Sequence, residues 1–186
     1  MFSKEEKIRY SRHFQLPEVG ELGQEKLKKS SVLCVGTGGL GSPAILYLAA
    51  AGVGRIGIVD ADNVDITNLQ RQILHGESFI GKPKVDSAMA RLKEVNPHIT
   101  VECHNTMLNA QNAETIATGY DLILDGSDNF PTRYLTNDVA YKLKIPNVYG
   151  SIFRFEGQVS VFAPHLGGPC YRCMLPTPPD PASAPT

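Results

Sequence analysis

The stretch Val32–Gly41, which reads VLCVGTGGLG, decides the fold of this 186-residue chain. Its apolar start predicts a buried strand, its glycines predict a tight turn, and the run from about Ser42 to Ala51 predicts a helix. A strand, a glycine turn and a helix in this order direct backbone N–H groups and a helix N-terminus toward a phosphate. The glycines of the turn are Gly36, Gly38, Gly39 and Gly41.

A carboxylate follows at the spacing that a nucleotide site requires. Asp60 ends the next apolar run, about 20 residues after the turn, where it can accept hydrogen bonds from a ribose hydroxyl. The turn and the acid together predict that the chain binds an adenine nucleotide.

The composition describes one globular domain with an ordinary charge balance. Hydrophobic residues make up 42%, charged residues 20%, and the formal net charge is −1. This balance gives no indication of a nucleic acid or an anionic membrane as partner. The sequence contains no stretch of 18 uncharged apolar residues, so no membrane span is predicted. The charged N-terminus lacks the apolar region of a signal peptide. We therefore expect a cytoplasmic protein.

Strand and helix patterns alternate along the rest of the chain. Further strands are predicted at 56–60, 99–101, 122–124 and 146–149, and helices at 4–15, 83–95, 111–118 and from Pro131 onward. Residues 158–163 alternate polar and apolar, as a half-exposed antiparallel strand does. The predicted fold class is α/β, a Rossmann-like doubly wound, mostly parallel sheet with an antiparallel strand near the C-terminus. Residues 176–186, five of them proline, are expected to form an extended or mobile tail.

The polar segment after Asp60 favours a triphosphate over a dinucleotide. An NAD site needs little beyond the acid, whereas Asn68, Gln70 and Arg71 can donate hydrogen bonds to phosphate oxygens. Lys84 lies in the first turn of a predicted helix, where a positive charge is disfavoured and a bound polyphosphate would compensate it. The alternative for Lys84 is a solvated surface lysine.

Asp128 is a candidate Mg²⁺ ligand. It follows the fourth predicted strand of the parallel sheet, at the edge where open α/β sheets bind ligands. An acid beside a polyphosphate calls for a cation between them, and Mg²⁺ takes few carboxylates together with phosphates and waters. The alternative is an N-cap for the helix near Pro131, a role that Asn129 could fill equally well.

The four cysteines fall into two groups. Cys34 and Cys103 lie in predicted strands, where free cysteine is a small core residue. Cys170 and Cys173 form a C-x-x-C pair, which is half of a tetrahedral Cys₄ zinc site. A redox-active dithiol is the second possibility, although no thioredoxin-like context surrounds the pair.

Taken together, these elements resemble the MoeB/ThiF/HesA family of adenylyltransferases, relatives of the ubiquitin-activating enzymes. The likeness covers essentially residues 6–175 and assigns residues 1–175 to an ATP-binding adenylyltransferase domain. The segments that carry it are 9–14 (RYSRHF), 36–41 (GTGGLG), 68–72 (NLQRQ) with 81–84 (GKPK), 125–129 (DGSDN) and 170–173 (CYRC).

The resemblance implies a reaction in which the C-terminal Gly-Gly carboxylate of a small ubiquitin-like sulfur carrier attacks the α-phosphate of Mg·ATP and releases pyrophosphate. It implies that Gly39 and Asp60 hold the adenosine part and that Asp128 and Asn129 serve metal and nucleotide. Arg12 would act in a neighbouring subunit's site, which implies a homodimer. The expected phosphate contacts are Thr67, Asn68, Leu69, Gln70, Arg71 and Lys84.

The chain also departs from that family. The second C-x-x-C pair of the family's zinc site is missing, and two thiolates alone should hold zinc weakly. The chain is expected to be the N-terminal portion of a longer protein, less stable than the full length or reliant on its dimer.

Pathway and activity stay open at this point. Molybdopterin, thiamine and thiolated-tRNA synthesis use similar activators, with a cysteine desulfurase or a rhodanese as a further partner. Two alternatives remain: an NAD-dependent oxidoreductase, which leaves Arg71, Lys84 and Asp128 without roles, and a non-catalytic fragment that only binds the carrier.

Overall fold

A six-stranded sheet forms the centre of the protein, in a computed structural model that describes residues 1–179. The strand order is β3-β2-β1-β4-β5-β6. The first four pairings are parallel and β5 pairs antiparallel with β6, which confirms the predicted fold class. The strands are β1 (Ser31–Val35), β2 (Arg55–Val59), β3 (Thr100–His104), β4 (Leu122–Asp125), β5 (Asn147–Phe153) and β6 (Glu156–Phe162).

Helices cover both faces of the sheet because successive residues of β1 point to opposite sides. Val32 and Cys34 pack in one core with α4 and α5, and Leu33 and Val35 pack in another with α6 and α7. The helices are α1 (Lys4–Arg9), α2 (Ser11–Phe14), α3 (Gly20–Lys29), α4 (Gly41–Ala51), α5 (Lys84–Val95), α6 (Ala113–Ala117), α7 (Phe130–Leu143) and α8 (Tyr171–Met174). Among residues 1–179, none of them combines the length and apolar character that crossing a membrane requires.

The glycine turn between β1 and α4 depends on close backbone contacts. Gly36 has a φ of +87°, in the left-handed region that favours glycine. A Cβ at Gly41 would overlap the carbonyl oxygen of Gly36. The turn therefore brings the start of α4 directly against the end of β1, as a phosphate-binding turn requires.

The N-terminal region differs from its prediction. The single helix expected over residues 4–15 is two short helices separated at Tyr10, and α3 was not predicted. Tyr10 is buried, and its hydroxyl accepts a hydrogen bond of 2.8 Å from Asn96 Nδ2. Tertiary contacts therefore decide the break. Gly20 and Gly23 lower the helix propensity of α3, which is held instead by fully buried Gln24, whose Nε2 donates to the Ala51 carbonyl.

Helix α4 is apolar nearly all round, a pattern typical of a buried helix, but its outer face is exposed. Ile45 and Ala49 are fully buried, but Tyr47 is 76% exposed. The helix packs on one side of the sheet and has no second layer outside it within the described residues.

An aromatic cluster joins α8 to the end of the sheet. Tyr134, Tyr149, Phe162 and Tyr171 form this third core. The Tyr171 backbone N–H donates to Asn137 Oδ1 at 2.7 Å, which fixes the start of α8 on α7. Of the tail predicted at 176–186, residues 180–186 lie outside the described residues.

Candidate functional site

A cleft of about 1170 Å³ opens at the carboxyl ends of β1, β2 and β4. This is the edge at which the order of strands in a doubly wound sheet creates a ligand crevice. The cleft brings together eight of the thirteen residues predicted to bind the nucleotide, namely Gly36, Gly38, Gly39, Asp60, Arg71, Lys84, Asp128 and Asn129.

Thr37 attaches the glycine turn to Asp60. The backbone N–H and the hydroxyl of Thr37 both donate to Asp60 Oδ2, at 2.8 and 2.7 Å. The Asp62 N–H donates to the other oxygen, Oδ1, at 2.9 Å. Because Oδ1 receives only this one hydrogen bond within the described part of the chain, it retains capacity for a ribose hydroxyl.

The carbonyl of Thr37 is also held by hydrogen bonds, as the N–H and hydroxyl of Thr37 are. Ser42 Oγ donates to it at 2.8 Å, and His75 Nε2 lies 3.2 Å away. A carbonyl can only accept, so Nε2 carries the proton of the imidazole. Burial lowers the pKa of His75, and this keeps the ring neutral in that tautomer. Turn, acid and histidine therefore form one hydrogen-bonded unit.

Lys84 has a counter-charge that the sequence analysis did not identify. Its Nζ lies 2.8 Å from Asp62 Oδ2, and the lysine side chain is 6% exposed whereas that of Asp62 is 70% exposed. Two isolated bridges, Asn63 with Pro83 and Val64 with Ile80, hold the two segments side by side. Asp62 thus supplies the charge compensation that the prediction assigned to a polyphosphate.

Arg71 is exposed and lies over the glycine turn. Its Nη1 donates to the Thr67 carbonyl at 3.2 Å. Its Cδ would be 3.5 Å from a Cβ at position 39, so the glycine there leaves room for the arginine stem.

The rest of the predicted phosphate segment does not line the cleft. Residues 66–68 form a 3₁₀ helix capped by Asp65, to whose Oδ1 the Thr67 hydroxyl donates at 2.6 Å. The Gln70 amide donates to the Thr67 carbonyl at 3.0 Å. Four residues of this segment are absent from the lining of the cleft, namely Thr67, Asn68, Leu69 and Gln70. Gly41, the last glycine of the turn, does not line the cleft either.

Asn129, not Asp128, caps α7. Its side-chain oxygen accepts a hydrogen bond of 2.9 Å from the Thr132 N–H. Asp128 is exposed, and among residues 1–179 its side chain accepts only a 3.4 Å hydrogen bond, from Asn129 Nδ2 to Oδ1. The Asp128 carboxylate is therefore available at the end of β4.

Two further predicted features do not line the cleft, although Tyr171 and Met174 beside the cysteines do. Arg12 is exposed on α2, where its Nη1 donates to Gln15 Oε1 at 3.4 Å. Cys170 and Cys173 flank the start of α8 with their Sγ atoms 3.7 Å apart. Burial raises the pKa of Cys170, but hydrogen bonds from the Cys173 and Arg172 backbone, the Cys173 thiol and Asn137 lower it overall. Among residues 1–179, no group of three His, Cys, Asp or Glu side chains is arranged to hold a metal ion.

Several polar residues of the cleft were not predicted from the sequence, among them Gln72 and Arg133. Gln72 is 4% exposed and its Oε1 has no hydrogen-bond partner within the described residues. Arg133 lies in the first turn of α7, whose N-terminus faces the same sheet edge. The sequence signal available for Arg133 was its position five residues after Asp128, at the start of the helix predicted near Pro131.

Comparison with known proteins places the chain among adenylyltransferase-related sequences. The family described as ThiF family matches residues 10–186. A Thermus thermophilus protein named sulfur carrier protein adenylyltransferase is 50% identical over 189 residues, covering 100% of this chain and 70% of that protein.

Two longer relatives are similar to the same degree. The Culex quinquefasciatus protein named adenylyltransferase and sulfurtransferase MOCS3 is 55% identical, covering 93% of this chain and 39% of that protein. The Mycobacterium tuberculosis protein named probable adenylyltransferase/sulfurtransferase MoeZ is 52% identical, covering 99% of this chain and 48% of that protein. The chain therefore spans less than half the length of these two relatives.

Solved structures share the fold at lower identity. A crystal structure of PaaA has a TM-score of 0.78 at 25% identity, covering 87% of this chain and 52% of that one. E. coli MccB with AMPCPP and MccA has a TM-score of 0.76 at 26% identity, with 88% and 51% covered. E. coli TcdA, a tRNA N6-threonylcarbamoyladenosine dehydratase solved with ATP, has a TM-score of 0.72 at 28% identity. The match covers 79% of this chain and 60% of that one.

Proposed function

Because the chain belongs to the ThiF family, we propose that it is an adenylyltransferase that uses ATP to activate the C-terminal glycine carboxylate of a small ubiquitin-like sulfur carrier. The observation that supports this proposal most is the convergence of the glycine turn, Asp60, Arg71, Lys84 and Asp128 on one cleft. A dinucleotide would leave the last three without a role.

The nucleotide would lie along the carboxyl ends of β2 and β1. Asp60 Oδ1 has lone-pair capacity for a ribose hydroxyl, and Gly39 allows the backbone to approach the nucleotide closely. Arg71 would take the phosphates with its planar fork. Lys84 uses one of its three donors on Asp62 and keeps the others for a phosphate oxygen.

The reaction requires charge stabilisation more than proton transfer. A C-terminal carboxylate is ionised at neutral pH, so its oxygen can attack the α-phosphorus without a general base. The bond from that phosphorus to the oxygen bridging to the β-phosphate breaks, and an acyl-adenylate and pyrophosphate form. Negative charge grows on the phosphate oxygens, which Arg71 and Lys84 would offset.

Asp128 is suited to hold Mg²⁺. The ion prefers one or two carboxylates together with substrate phosphates and waters, and Asp128 offers an exposed carboxylate with a single weak hydrogen bond. When bound, Mg²⁺ supplies further compensation of the phosphate charge.

The cysteine pair is suited to half of a zinc site. A Zn–S bond of about 2.3 Å gives a tetrahedron edge of about 3.8 Å, and the two Sγ atoms are 3.7 Å apart. A Cys₄ site would need two more thiolates beyond those of residues 170–173.

Assembly and pathway are also part of the proposal. Arg12 is exposed and does not line the cleft of its own chain, so it is available to a second subunit in a homodimer. The candidate pathways are molybdopterin, thiamine and thiolated-tRNA synthesis, with a cysteine desulfurase or rhodanese as the sulfur source. The proposed location is the cytoplasm.

The experiment is ATP–pyrophosphate exchange measured with and without a carrier that ends in Gly-Gly. We expect exchange only when Mg²⁺ and carrier are both present. Tight NADH binding without ATP binding would contradict the proposal in favour of an oxidoreductase. Carrier binding without exchange would instead identify a non-catalytic binding protein.

A further inference from the structure

The guanidinium of Arg133 is a cation in the cleft that the proposed nucleotide contacts do not use. It lies in the first turn of α7, where the helix dipole disfavours a positive charge. The residue is half-buried and lines the cleft together with Tyr149 and Ser151 of β5.

Arg133 is held in place without being neutralised. Its Nε and Nη2 both donate to the Ser127 carbonyl, at 3.3 and 3.1 Å. The guanidinium also contacts two aromatic rings, with its Cζ 5.3 Å from the centroid of Phe130 and 5.6 Å from that of Tyr149. Nη1 makes no hydrogen bond with the described part of the chain.

A neighbouring arginine shows what a neutralised guanidinium looks like in this protein. Arg172 also contacts an aromatic ring, that of Tyr134, but its Nε and Nη2 form a bidentate pair with Asp138 at 2.9 and 2.6 Å. No carboxylate of residues 1–179 lies within 4.0 Å of Arg133. A planar fork that is rigidly placed and lacks an anion is suited to bind one from outside.

The position of Arg133 identifies which anion. Asp60 follows β2, whereas Arg133 lies beside β4 and contacts Tyr149 of β5, three strand positions away. At about 4.8 Å between strands, the two ends of the cleft are about 14 Å apart. Arg71 and Lys84 lie nearer the Asp60 end and match the nucleotide phosphates, which Asp128 beside β4 would reach only through Mg²⁺. The remaining anion of the proposed reaction is the carboxylate that attacks them.

We infer that Arg133 is the residue that binds the C-terminal carboxylate of the carrier and presents it to the α-phosphate. This inference rests on the proposed function. Arg133 is therefore a substrate-binding residue of the β4–β5 side of the cleft, distinct from the cations that hold the nucleotide.

The test is a thermodynamic cycle between Arg133 and the carboxylate itself. The carrier that supports exchange is prepared in two forms, with its native C-terminal acid and with that acid converted to a carboxamide. Calorimetry measures the affinity of both forms for the 186-residue chain in the presence of a non-hydrolysable ATP analogue. We expect the wild type to bind the acid about 10-fold more tightly than the amide. Arg133→Met should reduce this ratio to about 1.

Two further variants control the cycle. Arg91→Met removes a cation from the exposed face of α5, where Arg91 pairs with Glu94, and should keep the wild-type ratio. Arg133→Lys retains the charge without the fork and should give an intermediate ratio. A thermal melt shows whether Arg133→Met folds. If it does not, Arg133→Lys takes its place in the cycle.

The outcomes separate the inference from the function on which it rests. If Arg133→Met keeps the acid-to-amide ratio, or weakens both forms equally, the inference is wrong while the proposed function stands. If the variant instead loses affinity for the ATP analogue with an unchanged ratio, Arg133 binds phosphate and the inference is wrong. If the wild type shows no carrier-dependent exchange, the proposed function fails and the inference fails with it.

Discussion

The two halves of the cleft differ in how completely their polar groups are satisfied, although Gln72 Oε1 and His75 Nδ1 near the glycine turn also have no hydrogen-bond partner among residues 1–179. On the β1–β2 side, Thr37 uses its N–H, hydroxyl and carbonyl, and Lys84 has Asp62. On the β4–β6 side, Arg133 has no carboxylate partner among residues 1–179, and the β5–β6 hairpin exposes apolar side chains such as Phe155 and Val159. A site assembled before its ligand arrives loses little entropy on binding. The difference indicates that the first half is preorganised for a constant small ligand, and that the second half awaits a larger partner.

The largest effect is expected where the preorganised half depends on bare backbone. Gly41→Ala should destabilise the fold by at least about 3 kcal/mol, because its methyl group would overlap the Gly36 carbonyl oxygen. Gly76→Ala is the matched control, since nothing lies within 4 Å of a Cβ there and its φ is ordinary. Urea unfolding measures both. Equal stability of the two variants would show that the turn is not rigid.

A large loss of activity with little loss of stability is expected at Arg71. Arg71→Met removes an exposed guanidinium whose only hydrogen bond within residues 1–179 is to the Thr67 carbonyl, so the thermal melt should change little. The exchange rate should fall about 100-fold, the usual loss when one preorganised charge-stabilising donor is removed. If Arg71→Met exchanges at the wild-type rate, Arg71 is not part of the site.

A pH effect is expected to distinguish the two halves. Burial holds the pKa of His75 below its ordinary value of 6.5. The unfolded chain therefore binds more protons than the folded chain below pH 6.5, and stability falls as the pH drops through and below that value. His75→Gln retains an N–H donor for the Thr37 carbonyl but does not titrate.

The measurement for His75 is the melting temperature of wild type and variant between pH 7.5 and 5. The wild type should lose more stability on acidification than His75→Gln. Parallel curves for the two proteins would show that the histidine is not the acid-sensitive group of this half.

The smallest effect is expected on the hairpin. Val159→Thr should change stability by less than about 0.5 kcal/mol, because Val159 is 84% exposed. Val32→Thr on β1, where the valine is 3% exposed, should cost about 1–3 kcal/mol. If both substitutions cost the same, the hairpin face is covered in solution and the contrast between the halves disappears.

Sequence reasoning succeeded where local pattern and topology coincide. The alternation of strands and helices determined the fold, and the rule that ligands bind at the carboxyl ends of parallel strands located Asp60 and Asp128 in one cleft. Lys84 and Arg71 followed because their segments return to the same edge.

The predictions that failed or were missed depend on contacts between distant residues. The pairing of Asp62 with Lys84 joins segments 22 positions apart, and Arg133 is recognisable as an unneutralised cation only once its surroundings are known. Thr67 was expected at the phosphates, and its hydroxyl donates to Asp65 two residues earlier, a local cap that the sequence pattern did not reveal. Helix α3 was missed because its glycines obscure the helical pattern, while Gln24 stabilises it from inside.

The position of β6 at the end of the sheet order has a practical consequence for handling the protein. Along its outer side, main-chain N–H and C=O groups have no strand to pair with in residues 1–179, and the strand sequence EGQVSVF contains no lysine or proline to discourage a new neighbour. Such an edge promotes aggregation by strand addition between molecules. Dilute samples and short storage at low concentration are therefore the conditions in which its solubility and rates are best measured.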